Sequence, residues 1–363
     1  MSLNRRQLLQ LAGVSALFHS CHFLKKTQSE TIVIPRKETI YSGFRDGAAY
    51  VSENAGIHIG SQNQNIRTKL SKEVHSGIYS EANGFMFFIA KLEVESYAQI
   101  EKNGPLIPFH AEENHYFYGH GAFDEKRKIL YTTQAAITAD RSEGKRANQE
   151  GYIFVYSVPE MKIIDKFKTF GRDPHDMKIV EDVLVICNGG FDSNVTFIDI
   201  QTRKLLGDYH VNVDHLSMRH IDVIDKKNFL VASMSVDLNQ PCPLYLLNID
   251  TGFKAFVPPE NLAMTLMRVQ LLSVLHHDGY AYATCPFKDV VLVFKTTGEY
   301  VGAHQIPGAS NIAYSNELKG VIVGNGDVKQ CARLVRIENG NLKVSSIGWA
   351  RGITGSHSLL VST

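Results

Sequence analysis

Five histidines open segments of similar design along the chain, and their spacing makes them candidates for shared chemistry. Each is followed by a small or acidic turn and then by a mostly apolar run. These histidines are His75, His120, His175, His220 and His357. Ser273 and Asn311 hold the same slot in two further segments. The segments begin at 75, 120, 175, 220, 273, 311 and 357, with spacings of 38 to 55 residues.

Neutral imidazoles are good ligands for zinc, copper, iron and nickel, so convergence of the five histidines would create a site for a metal or a metal cofactor. Asp176 and Asp222 follow two of the histidines, and carboxylates of this kind orient ligand histidines. Arg219 argues against a dense group of cations unless an anion is also bound. The residues that we expect to support the histidines or to bind a ligand are Asp176, Arg219, Asp222, Ser273 and Asn311.

The elements that would bring these residues together are short strands in a repeating order. A period in this range is typical of a β-propeller with one blade per repeat, and seven segment starts predict seven blades. A single blade cannot bury both faces of its sheet, so the ring must close. We expect residues 40–70 to supply the outer strands of the blade whose inner strand is His357–Thr363.

In such a ring the first strand of each repeat lies nearest the axis, so the five histidines are predicted to surround one mouth of the central channel. Convergence from separate strands would give a metal site the rigidity that it needs. Two other interpretations stay open. The imidazoles could simply bond to water and loop carbonyls in a solvated channel, or they could bind a small organic or anionic ligand or a docked partner.

Composition narrows the class of protein. The chain has 363 residues, a hydrophobic content of 44% and a formal net charge of +1. The charge argues against nucleic-acid binding, and no apolar run is long enough to form a transmembrane domain. The cysteines form no Cys-x-x-Cys pair, which makes a zinc ribbon an unfavoured interpretation. We predict a single propeller domain over residues 29–363.

Residues 1–28 are typical of an export signal and are excluded from the fold. Arg5 and Arg6 precede a short apolar segment, which resembles a twin-arginine signal, although an ordinary secretory signal stays open. Cys21 ends a segment that resembles a lipoprotein cleavage site. The expected location is therefore the periplasm, with lipid anchoring at Cys21 as an option.

Enzyme motifs are absent from the sequence, which contains no Gly-x-Ser-x-Gly elbow, no His-Glu-x-x-His and no phosphate-binding loop. We therefore favour a binding or accessory protein. The rival from another class is a propeller enzyme, either a lactonase-like hydrolase or an oxidoreductase. A hydrolase needs carboxylates at the channel mouth, for which Asp176 and Asp222 are the near candidates. A plain protein-interaction platform is the third hypothesis.

Several motifs, taken in order, resemble those of domain-of-unknown-function family fifteen-thirteen. These motifs are Phe117-Tyr118-Gly119-His120-Gly121, Asp173-Pro174-His175-Asp176, Cys187-Asn188-Gly189-Gly190, Leu216-Ser217-Met218-Arg219-His220 and Thr284-Cys285-Pro286. The resemblance implies a twin-arginine-exported seven-bladed propeller. It also implies an association with periplasmic iron-uptake proteins, hence iron or copper as the metal, without implying an activity. The chain departs from the family at Asp176, where Glu is usual, and at the segment before His75.

Overall fold

The computed structural model describes residues 31–32, 38–45, 55–61, 64–71, 74–101, 104–137, 150–190, 192–237, 239–326, 330–351 and 357–362. The expected export signal, with Cys21, lies outside these residues. The structure is 66% strand and 3% helix, which confirms the all-β class. Among the described residues the helical segments are α1 (Glu260–Leu266) and a short 3-10 helix (Pro286–Lys288). No helix in the described part of the chain is both long and apolar enough to cross a bilayer.

The strands follow each other in antiparallel units of four. The first unit contains β5 (Val74–Ser80), β6 (Phe85–Glu93), β7 (Glu95–Gln99) and β8 (Ile107–His110). The second contains β9 (His115–Asp124), β10 (Ile129–Ala136), β11 (Glu150–Ser157) and β12 (Lys162–Arg172). The third contains β13 (Pro174–Val180), β14 (Val183–Asn188), β15 (Asn194–Asp199) and β16 (Leu205–His210). The fourth contains β17 (Leu216–Val223), β18 (Asn228–Ser235), β19 (Leu244–Asn248) and β20 (Gly252–Phe256).

The remaining strands complete the set. The fifth unit contains β21 (Ser273–His277), β22 (Tyr280–Cys285), β23 (Val290–Lys295) and β24 (Tyr300–Gln305). The sixth contains β25 (Ile312–Ser315), β26 (Gly320–Val323), β27 (Cys331–Glu338) and β28 (Asn341–Arg351), with β1 (Thr31–Ile32) parallel to β28. The closing unit contains β29 (Ser358–Ser362), β2 (Glu38–Arg45), β3 (Ala55–Ser61) and β4 (Gln64–Leu70).

The closing unit joins the two ends of the described chain. Its innermost strand, β29, comes from the C-terminal segment and pairs antiparallel with β2, with Ile40 opposite Leu360. The three outer strands come from the N-terminal segment, so the predicted shared blade is confirmed. The sequence did not predict β1, which adds a fifth strand to the sixth unit. Pairing between the two segments removes an exposed strand edge at the point of closure.

The inner strands form a closed circuit. β29 contacts β5, and the contacts continue through β9, β13, β17, β21 and β25 back to β29. The circuit agrees with seven predicted units. However, the second unit also pairs with β6 in one eight-stranded sheet, so the exact number of blades stays a prediction.

Most of the core lies between neighbouring units. In β14 the alternation of side chains sends Leu184 and Ile186 towards the second unit, where they pack with Tyr131. Val185 and Cys187 point the other way and pack with Met218 of the fourth unit. Burial on both faces explains the continuous apolar run of this strand. It also confirms that Cys187 is a buried apolar side chain, with 0% exposure.

Candidate metal centre

The structure brings the five histidines together. His75, His120, His175 and His220 lie in β5, β9, β13 and β17, and His357 directly precedes β29. Seven pairs of the imidazole rings have centroids 4.6 to 5.1 Å apart, and His75 and His175 are 6.4 Å apart. Each ring therefore touches several others, although the residues come from five different units.

A β-bulge lies at or next to each of the first four histidines. In β5, Val74 faces Ala90 and Ser76 faces Ile89, so His75 is the extra residue. Residues 118–120 of β9 lie opposite a single residue of β10, and residues 175–176 of β13 lie opposite a single residue of β14. In β17 the register shifts between Met218 and His220. Bulges redirect side chains next to functional sites, and β21 and β25 have none.

Gly119 makes room for the cluster. Its φ of +104° is a conformation that residues with a Cβ rarely adopt. A Cβ at this position would lie 2.5 Å from Cδ2 of His75. The glycine therefore lets the second unit approach the imidazole of the first unit closely.

His75, His120, His175 and His220 are buried and His357 is half-buried, and the Nε2 atoms of all five have no hydrogen-bond partner among the described residues. The exposed fractions are 8% for His75, 4% for His120, 1% for His175 and 2% for His220. Ligand atoms lie within 4.8 Å of one another in two groups of three. These groups are His75, His120 and His357, and His120, His175 and His220. The arrangement presents nitrogen lone pairs or N–H groups to a common space.

Electrostatics keep these imidazoles neutral. Burial lowers the pKa of each of the five histidines below the ordinary 6.5, and the positive charge of Lys91 lowers all five further. For His120, the carboxylate of Asp176 partly opposes the effect of burial on the pKa. Neutral imidazole is the form that binds metal ions.

Asp176 contacts the cluster at Nδ1 of His120. Its Oδ1 lies 3.3 Å from Nδ1 of His120, and it accepts a hydrogen bond of 2.8 Å from the N–H of Met177. Its Oδ2 accepts one of 3.1 Å from the N–H of Ile221 in the next unit. Burial acts to raise the pKa of Asp176, but Lys178 and His120 outweigh it and hold that pKa below its ordinary range. An ionised Asp176 fixes the Nδ1–H tautomer of His120, which leaves Nε2 as the lone-pair atom.

The other four expected supporting residues have different surroundings. Ser273 Oγ lies 3.1 Å from Nδ1 of His357, and Arg219 Nη1 lies 3.4 Å from Nδ1 of His175. Asp222 instead accepts a 2.6 Å hydrogen bond from the N–H of His276, where it links β17 to β21. Asn311 is fully buried, and its Nδ2 donates to Ser310 Oγ at 3.4 Å.

The sequence analysis assigned no role at the site to three charged residues around the cluster. Lys91 lies in β6, with its Nζ 5.7 Å from the ring centroid of Tyr118, which is itself 5.8 Å from the His175 ring. Asp173 accepts a 3.2 Å hydrogen bond from Arg219. Lys178 Nζ lies 3.9 Å from Asp176. None of the three occupies a repeated slot in the sequence, so spacing alone gave no signal for them.

Known proteins provide an independent view of the chain. Comparison with curated proteins finds no match. The solved structures that the chain resembles include "Crystal Structure of Mitotic Checkpoint Complex", with a TM-score of 0.59 and 10% identity over 80% of this chain and 83% of that chain. Another is "Crystal structure of WD40 beta propeller domain of Doa1", with a TM-score of 0.53 and 14% identity over 77% and 84%. A third, "Structure of U3-55K", has a TM-score of 0.55 and 9% identity over 76% and 82%.

At these identities the likeness shows the propeller fold alone. A family model, described as "Protein of unknown function (DUF1513)", matches residues 93–351. The matched range contains His120, His175 and His220, together with their bulged strands. Because the match covers more than half of the chain, the protein belongs to the DUF1513 family.

Proposed function

We propose that this propeller binds a transition-metal ion through its histidine cluster. The observation that carries the proposal is the convergence of five buried Nε2 atoms with no hydrogen-bond partner among the described residues. Leaving a buried polar atom unsatisfied costs about 1–3 kcal/mol. A single ion that coordinates several of these nitrogens would remove several such costs together.

His75, His120 and His357 form the best-supported ligand group. Asp176 contacts Nδ1 of His120, and Ser273 contacts Nδ1 of His357. These contacts fix the orientation of both rings and leave the Nε2 atoms for the metal. Metal–nitrogen bonds of about 2.0–2.1 Å place the ligand nitrogens of one ion about 3–4 Å apart, which small rotations of these rings can reach. His220 is a fourth candidate, since its ring lies 4.6 Å from that of His357.

The metal proposal is more specific than its rivals. The propeller fold supports a scaffold or protein-interaction role, and the histidine groups could hold a metal. A protein-interaction platform would expose one large apolar patch. The large exposed apolar side chains, such as Ile164, Leu206 and Val236, lie instead in different units. A lactonase-like hydrolase would need an available carboxylate, yet Asp176 and Asp222 both accept hydrogen bonds from the backbone of the next unit.

We also propose that the protein is exported and assists iron or copper handling. Arg5 and Arg6 support export to the periplasm, and Cys21 supports lipid anchoring. The resemblance of the motifs supports partnership with periplasmic iron-uptake proteins. Cell fractionation of the natural chain and of an Arg5→Lys, Arg6→Lys variant tests export, which we expect the double substitution to reduce.

Metal titration followed by elemental analysis tests the central proposal. The purified protein, stripped with a chelator and titrated with Cu²⁺, Zn²⁺, Ni²⁺ or Fe²⁺, should retain one ion after dialysis. The variant His120→Ala should lose that ion. His304→Ala is the matched control, because His304 lies in β24, which contributes no residue to the cluster. Absence of retained metal in the natural protein, or equal retention by the His120→Ala variant, would refute the proposal.

A further inference from the structure

His175 differs from the other four histidines in what its second ring nitrogen contacts. Nη1 of Arg219 lies 3.4 Å from Nδ1 of His175. A guanidinium has donors only, so Nδ1 must accept this hydrogen bond. A neutral imidazole that accepts at Nδ1 carries its proton on Nε2. Nε2 of His175 is therefore an N–H donor rather than a lone pair available to a metal.

This donor points into the cluster without a partner. His175 is 1% exposed, and its Nε2 makes no hydrogen bond within the described part of the chain. Its ring lies 4.7 Å from that of His220 and 5.1 Å from that of His120. A group that satisfied the Nε2–H of His175 would thus lie beside the proposed ion, and it would have to be an acceptor.

Two cationic side chains lie near His175. Arg219 bridges from Asp173 to His175, with a side chain that is 13% exposed. Lys91 lies over Tyr118, whose ring contacts that of His175. Arginine and lysine beside a buried donor favour a negatively charged acceptor.

The charge of the proposed ion also favours a negatively charged ligand beside His175. Neutral imidazoles contribute no negative charge to a divalent cation. Asp176 beside His120 carries one negative charge, but Lys178 lies 3.9 Å from it, so much of the charge of the ion stays uncompensated in a buried site, which is costly. Three protein ligands also leave a coordination position open for a small molecule. An oxyanion in this position would neutralise the ion and accept the proton of His175 in one arrangement.

We infer that the protein binds its metal together with a small carboxylate-type oxyanion, which accepts a hydrogen bond from Nε2 of His175. This inference rests on the proposed metal function. It gives His175 a donor task instead of the ligand task that the sequence predicted. Arg219 acts as a positioning residue, since it fixes the tautomer of His175 and adds positive charge.

Metal affinity with and without anion tests the inference. The chelator-stripped protein would be titrated with Co²⁺ in a non-coordinating buffer free of carbonate, and the titration repeated with bicarbonate or with acetate. Coupling between two ligands on one protein is typically about 5–150-fold, so we expect at least about fivefold tighter Co²⁺ binding with one of the anions. The two anion arms distinguish bicarbonate from an organic carboxylate. The visible spectrum of bound Co²⁺ should also change when that anion is added.

The variant Arg219→Gln should still bind Co²⁺ but lose the effect of the anion. Arg203→Gln is the matched control, since Arg203 pairs with Asp165 on outer strands, and this variant should keep the effect. If the Arg219→Gln variant does not fold, Lys91→Gln serves as a second test and should weaken the anion effect. Equal Co²⁺ affinity with and without either anion overturns this inference and leaves the metal proposal standing. No binding of Co²⁺, Cu²⁺, Zn²⁺, Ni²⁺ or Fe²⁺ in any buffer overturns both.

Discussion

At the scale of single residues, Asp176 couples the chemistry of the site to the structure around it. One carboxylate contacts His120, the backbone of β13 and the backbone of β17. Asp222 makes a comparable backbone contact from β17 to β21, and that contact joins two strands rather than a strand and a histidine ring. Both aspartates therefore link neighbouring units, and Asp176 in addition contacts a histidine of the cluster.

The substitution Asp176→Asn should weaken metal binding about 10–100-fold, the usual effect of removing the group behind a ligand histidine. An amide at this position no longer enforces the Nδ1–H tautomer of His120. Competition titration against a chromogenic chelator measures the change. Asp222→Asn should leave the metal affinity unchanged. Equal losses for both variants would mean that Asp176 acts only through the fold.

The depressed pKa values of the cluster also predict how stability depends on pH. Below about pH 6.5 the unfolded histidines take up protons that the buried ones refuse, so the unfolded state binds more protons. Their contribution to stability is thus complete above about pH 6.5 and is lost as the pH falls towards the lowered pKa values. Lys91 and Arg219 strengthen this trend and Asp176 opposes it.

Urea unfolding of metal-free protein at several values between pH 7.5 and 5 measures that trend. We expect a falling midpoint, with a shallower fall in the variant His220→Gln. His210 has the opposite sign, because Asp208 and Asp192 outweigh burial and raise its pKa. His210→Gln should therefore make the fall steeper. A midpoint that is constant or rises towards acid pH would contradict the buried, neutral state of the cluster.

The identity of the clustered residues was predictable from the sequence, but not all of their surroundings. The five histidines occupy one repeated slot, and a closed ring brings equal slots to one axis. Lys91 reaches the cluster from the second strand of its unit, where no repeated pattern marks it. The position of Asp222 was also not predictable, since which neighbour a carboxylate contacts depends on the bulge in its strand.

At the scale of the strand, the bulges decide where the histidines point. A bulge depends on the pairing of two strands, so one strand's sequence does not reveal its register. The sequence predicted the inner strands and their order, yet it gave no sign that β5, β9, β13 and β17 are bulged and that β21 is regular. Gly119 was visible in the sequence, but its function as space for His75 appears only in three dimensions.

The substitution Gly119→Ala tests the packing at the bulge of β9. The new methyl group would collide with His75, and alanine rarely adopts the φ of +104° found at residue 119. We therefore expect a loss of unfolding free energy of about 1–3 kcal/mol together with loss of metal. Gly252→Ala is the matched control, because φ is +81° and no atom lies within 4 Å of the added Cβ. That control should cost about 1–2 kcal/mol through its backbone alone and keep the metal. Full metal binding by Gly119→Ala would contradict the close packing described for His75.

At the scale of the whole molecule, the closing unit holds the ring together. The pairing of β2 with β29 ties residues 38–42 to residues 358–362. Glu38 adds a second connection, since its carboxylate accepts hydrogen bonds from Ser315 Oγ and from the N–H of Glu317. Closure was predictable because the first strands lacked an inner partner and the last segment lacked outer ones. The exact number of blades stays a prediction, since the first two units share a sheet.

Replacing Ile40 with alanine measures the contribution of this closure. Ile40 is 0% exposed and packs with the sixth unit, so we expect a loss of about 2–5 kcal/mol of unfolding free energy. Ile66→Ala, in the exposed outer strand of the same unit, should change it by less than about 0.5 kcal/mol. Chemical denaturation followed by fluorescence gives both values. Similar small effects for both variants would show that the closing unit does not limit stability.

The most direct test of the metal centre is a crystal structure of the metal-loaded protein with anomalous diffraction data collected at the absorption edge of the added metal. We predict one anomalous peak within bonding distance of the Nε2 atoms of His75, His120 and His357. A map without a peak among these imidazoles, or with ordered water on each of the nitrogens, would contradict the proposed function.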